Sequence, residues 1–310
     1  MSLWALPPTA RVTPLNLSEN VTFLVDAEGD KSILRLHRPG YHTPAAIESE
    51  LAWMTALGRD TCLAVPCPRP GRNSEVVQSA QVPNTGETRD MVLFEFIDGA
   101  APSETDDLIP QFRTLGELAA TTHAHVETWQ RPPGFERLSW DLDAIFGPTP
   151  IWGRWQDAPG VTPERHRILA HTEERIRERL SQYGRAHDRF NLIHADMRLA
   201  NLLVSPNVIR LIDFDDCGFG WFLYDFAAAV SFIEDDPRLP ALKEAWLAGY
   251  TPIRDLSDVD LAEIDTFIML RRMALLAWIG SHSEAPEPQA LAPHFAAGTV
   301  ALAENWLSET

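Results

Sequence analysis

The sequence predicts an α+β fold in which a small β-rich part precedes a larger, mainly helical part. Short apolar segments alternate with turns over roughly the first hundred residues, as is typical of an antiparallel sheet. From residue 98 onward, apolar residues recur at helical spacing over long segments. A chain of 310 residues can provide each part with a core of ordinary size. We therefore predict two lobes, 1–97 and 98–310.

Four strands and one covering helix are predicted in the first lobe. The strands cover 21–26, 32–37, 75–81 and 91–97. The first two form a hairpin, with Gly29 and Asp30 supplying the turn. The helix covers 44–57, with Pro44 in its first turn and Thr43 as a candidate cap. This order predicts an antiparallel sheet with one helix packed on it.

The second lobe is predicted to be helical, apart from two short buried strands. The helices cover 108–128, 163–183, 224–233, 239–249, 259–281 and 291–307, and the strands cover 192–193 and 208–212. A connection rich in Trp and Pro runs over 138–160. Trp152 and Trp155 in this connection either form an aromatic wall for a ligand or simply fill the core.

The composition excludes several classes of protein. With 44 acidic and 26 basic residues the formal net charge is −18, and such a surface repels nucleic acid. It attracts a cationic partner, or it is a solvated face that keeps the protein soluble; both interpretations stay open. Three cysteines without framework spacing indicate neither a disulfide scaffold nor a zinc site. No signal peptide or membrane span is recognisable, so we expect a cytoplasmic protein.

The segment that begins at His194 carries the decisive pattern. Asp196 is followed five residues later by Asn201, in a loop that lies between the two apolar strands. Asp213 comes twelve residues after Asn201, at the end of the second strand, within Ile-Asp-Phe-Asp. This is the order of the catalytic loop and the metal-binding aspartate of kinases. Since several independent constraints agree, the pattern indicates phosphoryl transfer.

The residue types fit that chemistry. Phosphoryl transfer needs a carboxylate that orients and deprotonates the attacking hydroxyl, and Asp196 is the candidate. It also needs oxygen ligands for Mg²⁺, and Asn201 and Asp213 are expected to supply them. Arg198 is expected to offset the charge that accumulates on the transferring group. We expect His194 to pack and orient the loop rather than to perform chemistry.

The segment resembles the aminoglycoside phosphotransferase and choline kinase superfamily, whose loop reads roughly His-Gly-Asp-x-His-x-x-Asn. It is also similar to type II homoserine kinases and to a bacterial stress-response kinase of the same superfamily. The resemblance covers most of the chain and implies a protein-kinase-like bilobal fold and the use of ATP and Mg²⁺. This chain has no glycine-rich loop, and it has Arg198 where the superfamily often has His. No catalytic carboxylate or metal ligand is lost, so an active enzyme is expected.

The resemblance also implies contacts to the nucleotide in the first lobe. Ser18 and Asn20 match a Ser-x-Asn turn that covers the phosphates in this superfamily. Glu95 and Ile97, in the connector between the lobes, would offer backbone groups to the adenine edge. Side chains at the connector are expected to fill the core or line the cleft.

Four more residues take roles from the resemblance. Arg35 stands where kinases place the phosphate-gripping lysine, and its planar guanidinium needs a different geometry. Glu50 in the following helix would pair with Arg35, with Glu48 as a competing partner. Asp215 would reach the same metal or a second one. Asp225 would hydrogen-bond the backbone of the catalytic loop, or it would merely cap a helix.

Three functions follow from this pattern. The leading one is a kinase that phosphorylates a hydroxyl of a small molecule, with Asp141 and Asp143 as candidates for holding an amine. The second is a Ser/Thr protein kinase related to the stress-response kinase, although the roughly ten residues after Asp213 are short for a peptide platform. The third is a non-catalytic nucleotide-binding scaffold.

Overall fold

The chain forms two compact units, which we describe from a computed structural model. The residues described are 2–17, 20–83, 85–103, 105–205 and 208–309. The first unit, here called the sheet unit, comprises Met1–Ala101, Gln130–Arg137 and Leu202–Asp215. The second, the helical unit, comprises Pro102–Trp129, Leu138–Asn201 and Asp216–Thr310. The predicted α+β class is confirmed, and the predicted division into lobes at 1–97 and 98–310 stays a prediction.

The secondary structure is as follows. The strands are β1 (Arg11–Leu17), β2 (Val21–Ala27), β3 (Asp30–Leu36), β4 (Pro68–Arg69), β5 (Gln78–Gln81), β6 (Thr88–Glu95), β7 (Leu138–Ser139), β8 (Phe190–Ile193), β9 (Leu202–Ser205), β10 (Val208–Leu211) and β11 (Gly218–Trp221). The helices are α1 (Pro44–Asp60), α2 (Ile109–Thr128), α3 (Leu142–Phe146), α4 (Pro163–Tyr183), α5 (Tyr224–Ala229), α6 (Leu239–Tyr250), α7 (Asp258–Ser281) and α8 (Pro286–Glu309).

The sheet unit is built on an antiparallel sheet in the order β1-β2-β3-β6-β4, with β5 also paired to β6. The β2–β3 hairpin turns at Glu28 and Gly29, whose φ angles are 59° and 97°. Two positive φ angles are the signature of a type I′ turn, whose twist matches that of the flanking strands. Asp30, predicted as a turn residue, is instead the first residue of β3.

Helix α1 belongs to the same unit, and its Glu50 pairs with Arg35 of β3. Thr43 caps it, because its hydroxyl accepts a hydrogen bond from the amide of Ala46 at 3.0 Å. The buried face carries apolar residues at helical spacing, among them Ile47, Leu51 and Leu57. The helix therefore buries one apolar face and carries polar side chains such as Glu48 on the opposite face.

The helical unit is organised around α7, which is buried along most of its length. A small sheet of order β7-β11-β8 lies in the same unit. Helix α5 ends at Ala229. It could not continue to the predicted residue 233, because Phe232 has a φ of 72°, which no right-handed helix contains. Helix α8 begins at Pro286, five residues before the predicted start. Within the described ranges, no helix combines the length and apolarity needed to cross a bilayer.

Candidate active site

The loop after β8 contains the predicted catalytic residues. It ends in a 3₁₀ turn at Leu199–Asn201. His194 is fully buried, and its Nδ1 accepts a hydrogen bond from the amide of Asp196 at 3.3 Å. The imidazole thus braces the loop from within the helical unit.

The carboxylate of Asp225 holds the start of this loop. Its Oδ1 accepts a hydrogen bond from the amide of Ala195 at 2.7 Å, and its Oδ2 accepts one from the amide of His194 at 3.1 Å. Ala195 has a φ of 66°, which is uncommon for a residue with a side chain. Such strain persists where the surroundings over-determine the backbone, and it concentrates at functional sites. The backbone contact implied by the resemblance is therefore present, and its catalytic value stays a prediction.

Behind Asp225 lies a buried residue that the sequence analysis missed. His123 Nε2 donates to Asp225 Oδ2 at 3.0 Å, and its Nδ1 lies 2.9 Å from the hydroxyl of Tyr250. Burial lowers the pKa of His123, although the hydrogen bond to Asp225 acts in the opposite direction. The neutral imidazole has one donor and one acceptor nitrogen, so Tyr250 must donate its proton to Nδ1. This chain of contacts fixes the orientation of Asp225.

Asp196 is surrounded by hydrogen-bond donors. Its Oδ1 accepts from Arg271 Nη2 at 2.7 Å. Its Oδ2 accepts from Asn201 Nδ2 at 2.7 Å and from Arg198 Nε at 3.3 Å. Burial acts to raise the pKa of Asp196, but the charges of Arg198 and Arg271 outweigh it and lower the pKa below the usual value. The carboxylate is therefore ionised and held in one orientation.

Arg271 was not predicted as a site residue. It lies in α7, 75 residues after Asp196, and its side chain is 2% exposed. The signal that could have found it is a pair of arginines within the apolar stretch of the predicted helix 259–281, because a buried guanidinium requires partners. Arg272 is the other arginine of that pair, and it binds Glu234 at 2.7 Å instead.

Arg198 links the catalytic loop to the start of α8. Besides its contact with Asp196, its Nη1 lies 3.2 Å from Glu287 Oε1. Its guanidinium also lies over the ring of Phe232, 5.8 Å from the ring centre. Arg198, the predicted phosphate contact, thus already has two carboxylates as neighbours.

In the sheet unit, Arg35 and Glu50 form a buried ion pair. Arg35 Nη2 lies 2.8 and 2.7 Å from the two carboxylate oxygens of Glu50, and neither side chain is more than 6% exposed. Burial acts to lower the pKa of Arg35, but the carboxylates of Glu50 and Asp215 outweigh it and raise the pKa. Glu48, the competing partner considered above, is exposed. The fold therefore selects Glu50.

Asp213 and Asp215 lie on either side of a buried aromatic anchor. Phe214 is fully buried and packs edge-on against Trp53 of α1, with 5.5 Å between ring centres. Asp213 has a φ of 60°, its side chain is 50% exposed, and its Oδ1 lies 3.5 Å from Arg35 Nη1. The anchor and the strained backbone together direct the Asp213 carboxylate to solvent.

Asp215, in contrast, points into the sheet unit. Its Oδ1 lies 3.4 Å from His37 Nδ1 and 3.6 Å from His42 Nε2. Arg137 donates to its backbone carbonyl. Burial acts to raise the pKa of Asp215, but the nearby imidazoles of His37 and His42 and the charge of Arg35 lower it well below the usual value. A second metal at Asp215 stays a prediction.

The predicted nucleotide contacts fall partly outside the described residues. Ser18 lies outside them. Asn20 accepts a hydrogen bond from the amide of Arg38 at 3.0 Å, which ties Asn20 to the segment that follows β3. The amide of Glu95 donates to the carbonyl of Cys67 at 2.9 Å, so that amide is already occupied. Ile97 makes no hydrogen bond within the described ranges, so its amide is available as a donor.

Each unit offers an oxygen donor of the kind that divalent metals bind. Asn201 uses only its amide nitrogen, which donates to Asp196 Oδ2 and to the Asp196 carbonyl at 2.9 Å. Its Oδ1 accepts no hydrogen bond from any residue that the structure describes. An amide oxygen left open in this way, and the exposed carboxylate of Asp213, are the hard oxygen donors that Mg²⁺ and Ca²⁺ prefer.

The tryptophans of the connection 138–160 are buried. Trp152 is 6% exposed and lies 4.8 Å from the ring of Trp140, and the guanidinium of Arg271 lies 4.9 Å from the centre of its ring. Asp141 caps α3 and pairs with Arg185 at 3.0 Å, so its carboxylate already has a cationic partner. Core packing explains the tryptophans, and the helix cap and the ion pair explain Asp141.

Comparison with known proteins decides the family. Residues 11–260 match the phosphotransferase enzyme family. The chain belongs to this family. An uncharacterized protein of Deinococcus radiodurans is 30% identical over 272 residues, which are 84% of this phosphotransferase and 75% of the relative.

Solved structures support the same conclusion. A microcompartment-associated aminopropanol kinase is 46% identical to this phosphotransferase; the match has a TM-score of 0.92 and covers 99% of this chain and 95% of that one. An amicoumacin kinase, solved with AMP-PNP and Ca²⁺, is 21% identical with a TM-score of 0.76 over 96% of this chain and 90% of that one, which shows the fold alone. The predicted superfamily and protein-kinase-like fold are confirmed. This phosphotransferase is a kinase that transfers phosphate from ATP to a hydroxyl group of a small molecule.

Proposed function

We propose that the phosphate acceptor of this kinase is a short amino alcohol and that the donor is Mg·ATP. The observation that carries the acceptor is the 46% identity with the aminopropanol kinase over 99% of the chain. The net charge of −18 supports the same choice, because an acidic surface raises the local concentration of a cationic amine. The protein kinase and the non-catalytic scaffold become outcomes of the test below.

Asp196 is proposed as the group that orients and deprotonates the acceptor. The acceptor oxygen forms a bond to the γ-phosphorus of ATP, the bond between that phosphorus and the bridging oxygen breaks, and ADP leaves. The hydroxyl proton passes to the carboxylate of Asp196. Its ionised state and its fixed orientation support this role, because a general base must hold the reacting hydroxyl within hydrogen-bond distance.

Asn201 and Asp213 are proposed as the ligands of Mg²⁺, and Asp215 as a ligand of the same metal or of a second one. The open Oδ1 of Asn201 and the half-exposed carboxylate of Asp213 support this assignment. The metal, when bound, neutralises charge on the phosphates. Arg198 is proposed to contact the transferring group from the catalytic loop.

Arg35 is proposed to bind the ATP phosphates, in the place of the usual lysine. The buried ion pair with Glu50 supports this, because it holds the guanidinium in one position before the nucleotide arrives. Ser18 and Asn20 are proposed to cover the phosphates, and the backbone of Glu95 and Ile97 to meet the adenine.

The test is ADP release with Mg·ATP and a panel of acceptors. The panel contains aminopropanol and other amino alcohols, their uncharged diol counterparts, sugars, aminoglycosides and a generic protein. We expect turnover with amino alcohols and a loss of activity with the diols. Asp196→Asn should reduce kcat by about 10²–10⁴-fold, the usual contribution of a general base.

The matched control for Asp196→Asn is Asp258→Asn, which changes an exposed carboxylate of the same helical unit. It should keep wild-type turnover. Equal turnover of wild type and Asp196→Asn would show that the assignment of Asp196 is wrong. Preference for the protein acceptor would favour the protein kinase, and ATP binding without turnover on any acceptor would favour the scaffold.

A further inference from the structure

The guanidinium of Arg271 makes several hydrogen bonds and an aromatic contact. Its Nε donates to the hydroxyl of Ser231 at 3.2 Å. Its Nη1 donates to the carbonyl of Ala195 at 3.1 Å and to the hydroxyl of Tyr224 at 3.4 Å. The ring of Trp152 covers the guanidinium at 4.9 Å. The group therefore has a single position, from which Nη2 reaches Asp196.

The hydrogen bonds to Asp196 are distributed unequally between its two oxygens. Each carboxylate oxygen can accept about two hydrogen bonds. Oδ2 accepts two, from Asn201 at 2.7 Å and from Arg198 at 3.3 Å. Oδ1 accepts one, from Arg271 at 2.7 Å, and no other described residue donates to it. Oδ1 is therefore the oxygen with capacity left for a hydroxyl.

We propose that Arg271 is a positioning residue that holds Asp196 with Oδ1 turned to the acceptor, and that Oδ1 rather than Oδ2 takes the hydroxyl proton. This inference rests on the proposed role of Asp196 and goes beyond it, because it assigns the reacting oxygen and the group that orients it. Arg271 also binds the carbonyl of Ala195, so one guanidinium fixes both the side chain of Asp196 and the strained peptide before it.

The arrangement explains why two adjacent arginines of α7 have separate tasks. Successive helical residues point about 100° apart, so only one of the two can face the catalytic loop. Arg271 faces it, whereas Arg272 binds Glu234 at 2.7 Å and the hydroxyl of Thr299 at 3.0 Å. Both guanidinium groups are buried and ion-paired, so Arg272 is a matched control for the loss of a buried cation.

The test compares Arg271→Ala, Arg271→Lys and Arg272→Ala in steady-state kinetics with Mg·ATP and an amino alcohol that the wild type accepts. We expect Arg271→Ala to lower kcat by about 100-fold, the scale of a small misplacement of a reacting group, and to leave KM for ATP unchanged. Ethylguanidine, which can occupy the vacated space, should restore part of the lost kcat. Arg271→Lys should remain impaired, because one ammonium cannot reproduce the planar pair of contacts to Ala195 and Asp196.

Arg272→Ala should lose stability without a specific loss of kcat, and ethylguanidine should not stimulate it. Thermal unfolding establishes that each variant is folded. If Arg271→Ala does not fold, Tyr224→Phe, which removes a single hydrogen bond to Arg271, should still lower kcat and leave KM for ATP unchanged.

Folded Arg271→Ala with wild-type kcat would overturn the inference. An equal loss of kcat in Arg272→Ala, or no response of Arg271→Ala to ethylguanidine, would also overturn it, because both results indicate a merely structural role. The proposed function is tested separately. An inactive Asp196→Asn beside a fully active Arg271→Ala contradicts only this inference, whereas an active Asp196→Asn contradicts the role of Asp196 itself.

Discussion

At the residue scale, this protein tolerates buried charges because each of them has several partners. Arg35 pairs with Glu50 in the sheet unit, and Arg271 pairs with Asp196 in the helical unit. Leaving such a group without its partner costs much more than removing an exposed pair. The sequence indicated the first pair, since a strand arginine followed by a helix glutamate is a kinase pattern. It did not indicate the second, whose members are 75 residues apart.

Glu50→Ala should lower the free energy of unfolding by about 3–5 kcal/mol, because the buried guanidinium of Arg35 then lacks its principal partner. Denaturant unfolding monitored by Trp fluorescence measures this loss. Glu48→Ala is the matched control, since Glu48 is exposed on the same helix. It should change the stability by no more than about 0.5 kcal/mol. Equal stability of the two variants would contradict a structural role for the buried pair.

The pH dependence of stability should report on His123. Burial lowers the pKa of His123, and the hydrogen bond to Asp225 acts in the opposite direction. The other titratable or charged groups near the ring are Tyr250, Arg254 and Glu127. The neutral ring thus stabilises the fold above the pKa that His123 has in the unfolded chain. This contribution is lost as the pH falls through that value, because the unfolded chain then binds the extra proton.

The free energy of unfolding of the wild type should therefore fall more steeply than that of His123→Gln between about pH 7.5 and pH 5.5. Denaturant titrations of both proteins across this range measure the difference. Parallel curves would show that the His123 ring does not titrate with unfolding.

Element packing is tightest where α2 and α6 cross. A Cβ atom on Gly116 would lie 2.0 Å from the carbonyl oxygen of Trp246, and one on Gly249 would lie 1.9 Å from that of Arg113. Only glycine allows the two backbones to approach this closely. The crossing brings Tyr250 of α6 to His123 of α2, and so supports the contacts behind the catalytic loop.

Gly116→Ala should destabilise the protein by about 1–3 kcal/mol or more, because backbone atoms of α6 must move to admit the methyl group. Gly58→Ala is the control, since a Cβ there would make an ordinary contact of 3.6 Å with Val65. In a helix interior that change should stabilise by about 0.5–1 kcal/mol. Thermal unfolding of both variants checks the sign, and similar shifts in Tm would contradict the close crossing.

Strand β1 marks the limit of pattern recognition at the element scale. It contains Pro14, and a proline within an apolar run argues against a strand. Its position at the edge of the sheet makes proline acceptable, because one side of β1 needs no ladder hydrogen bonds. Whether a strand lies at an edge depends on the whole sheet, so the local sequence could not reveal it. The four predicted strands of the first lobe, in contrast, follow from the short apolar segments that alternate with turns along the chain.

At the scale of the whole molecule, each unit is assembled from separate stretches of chain. Leu202–Asp215 joins the sheet unit, where Val204 pairs with Ala100 through hydrogen bonds of 2.8 and 3.1 Å. Asp196 and Asn201 remain in the helical unit. The short motif read in the sequence is thus divided between the two units.

Nucleotide and metal should stabilise the whole protein. AMP-PNP with Mg²⁺ at about 100 times its Kd should add about 2.7 kcal/mol, because only the folded chain binds it. EDTA should remove the metal-dependent part of the resulting rise in Tm. Asp213→Asn should lose that part while keeping the unliganded Tm, because its carboxylate is half exposed. An unchanged metal-dependent rise in the variant would exclude Asp213 as a ligand.

The sequence by itself determined the family, the fold class and the catalytic loop, because these depend on residue types at short and regular spacing. The tertiary structure alone decided which side chains meet. It selected Glu50 over Glu48, turned Asp215 inward and Asp213 outward, and brought Arg271 to Asp196. These outcomes depend on helix rotation and on contacts between distant parts of the chain. A local pattern acts over a few residues and contains neither.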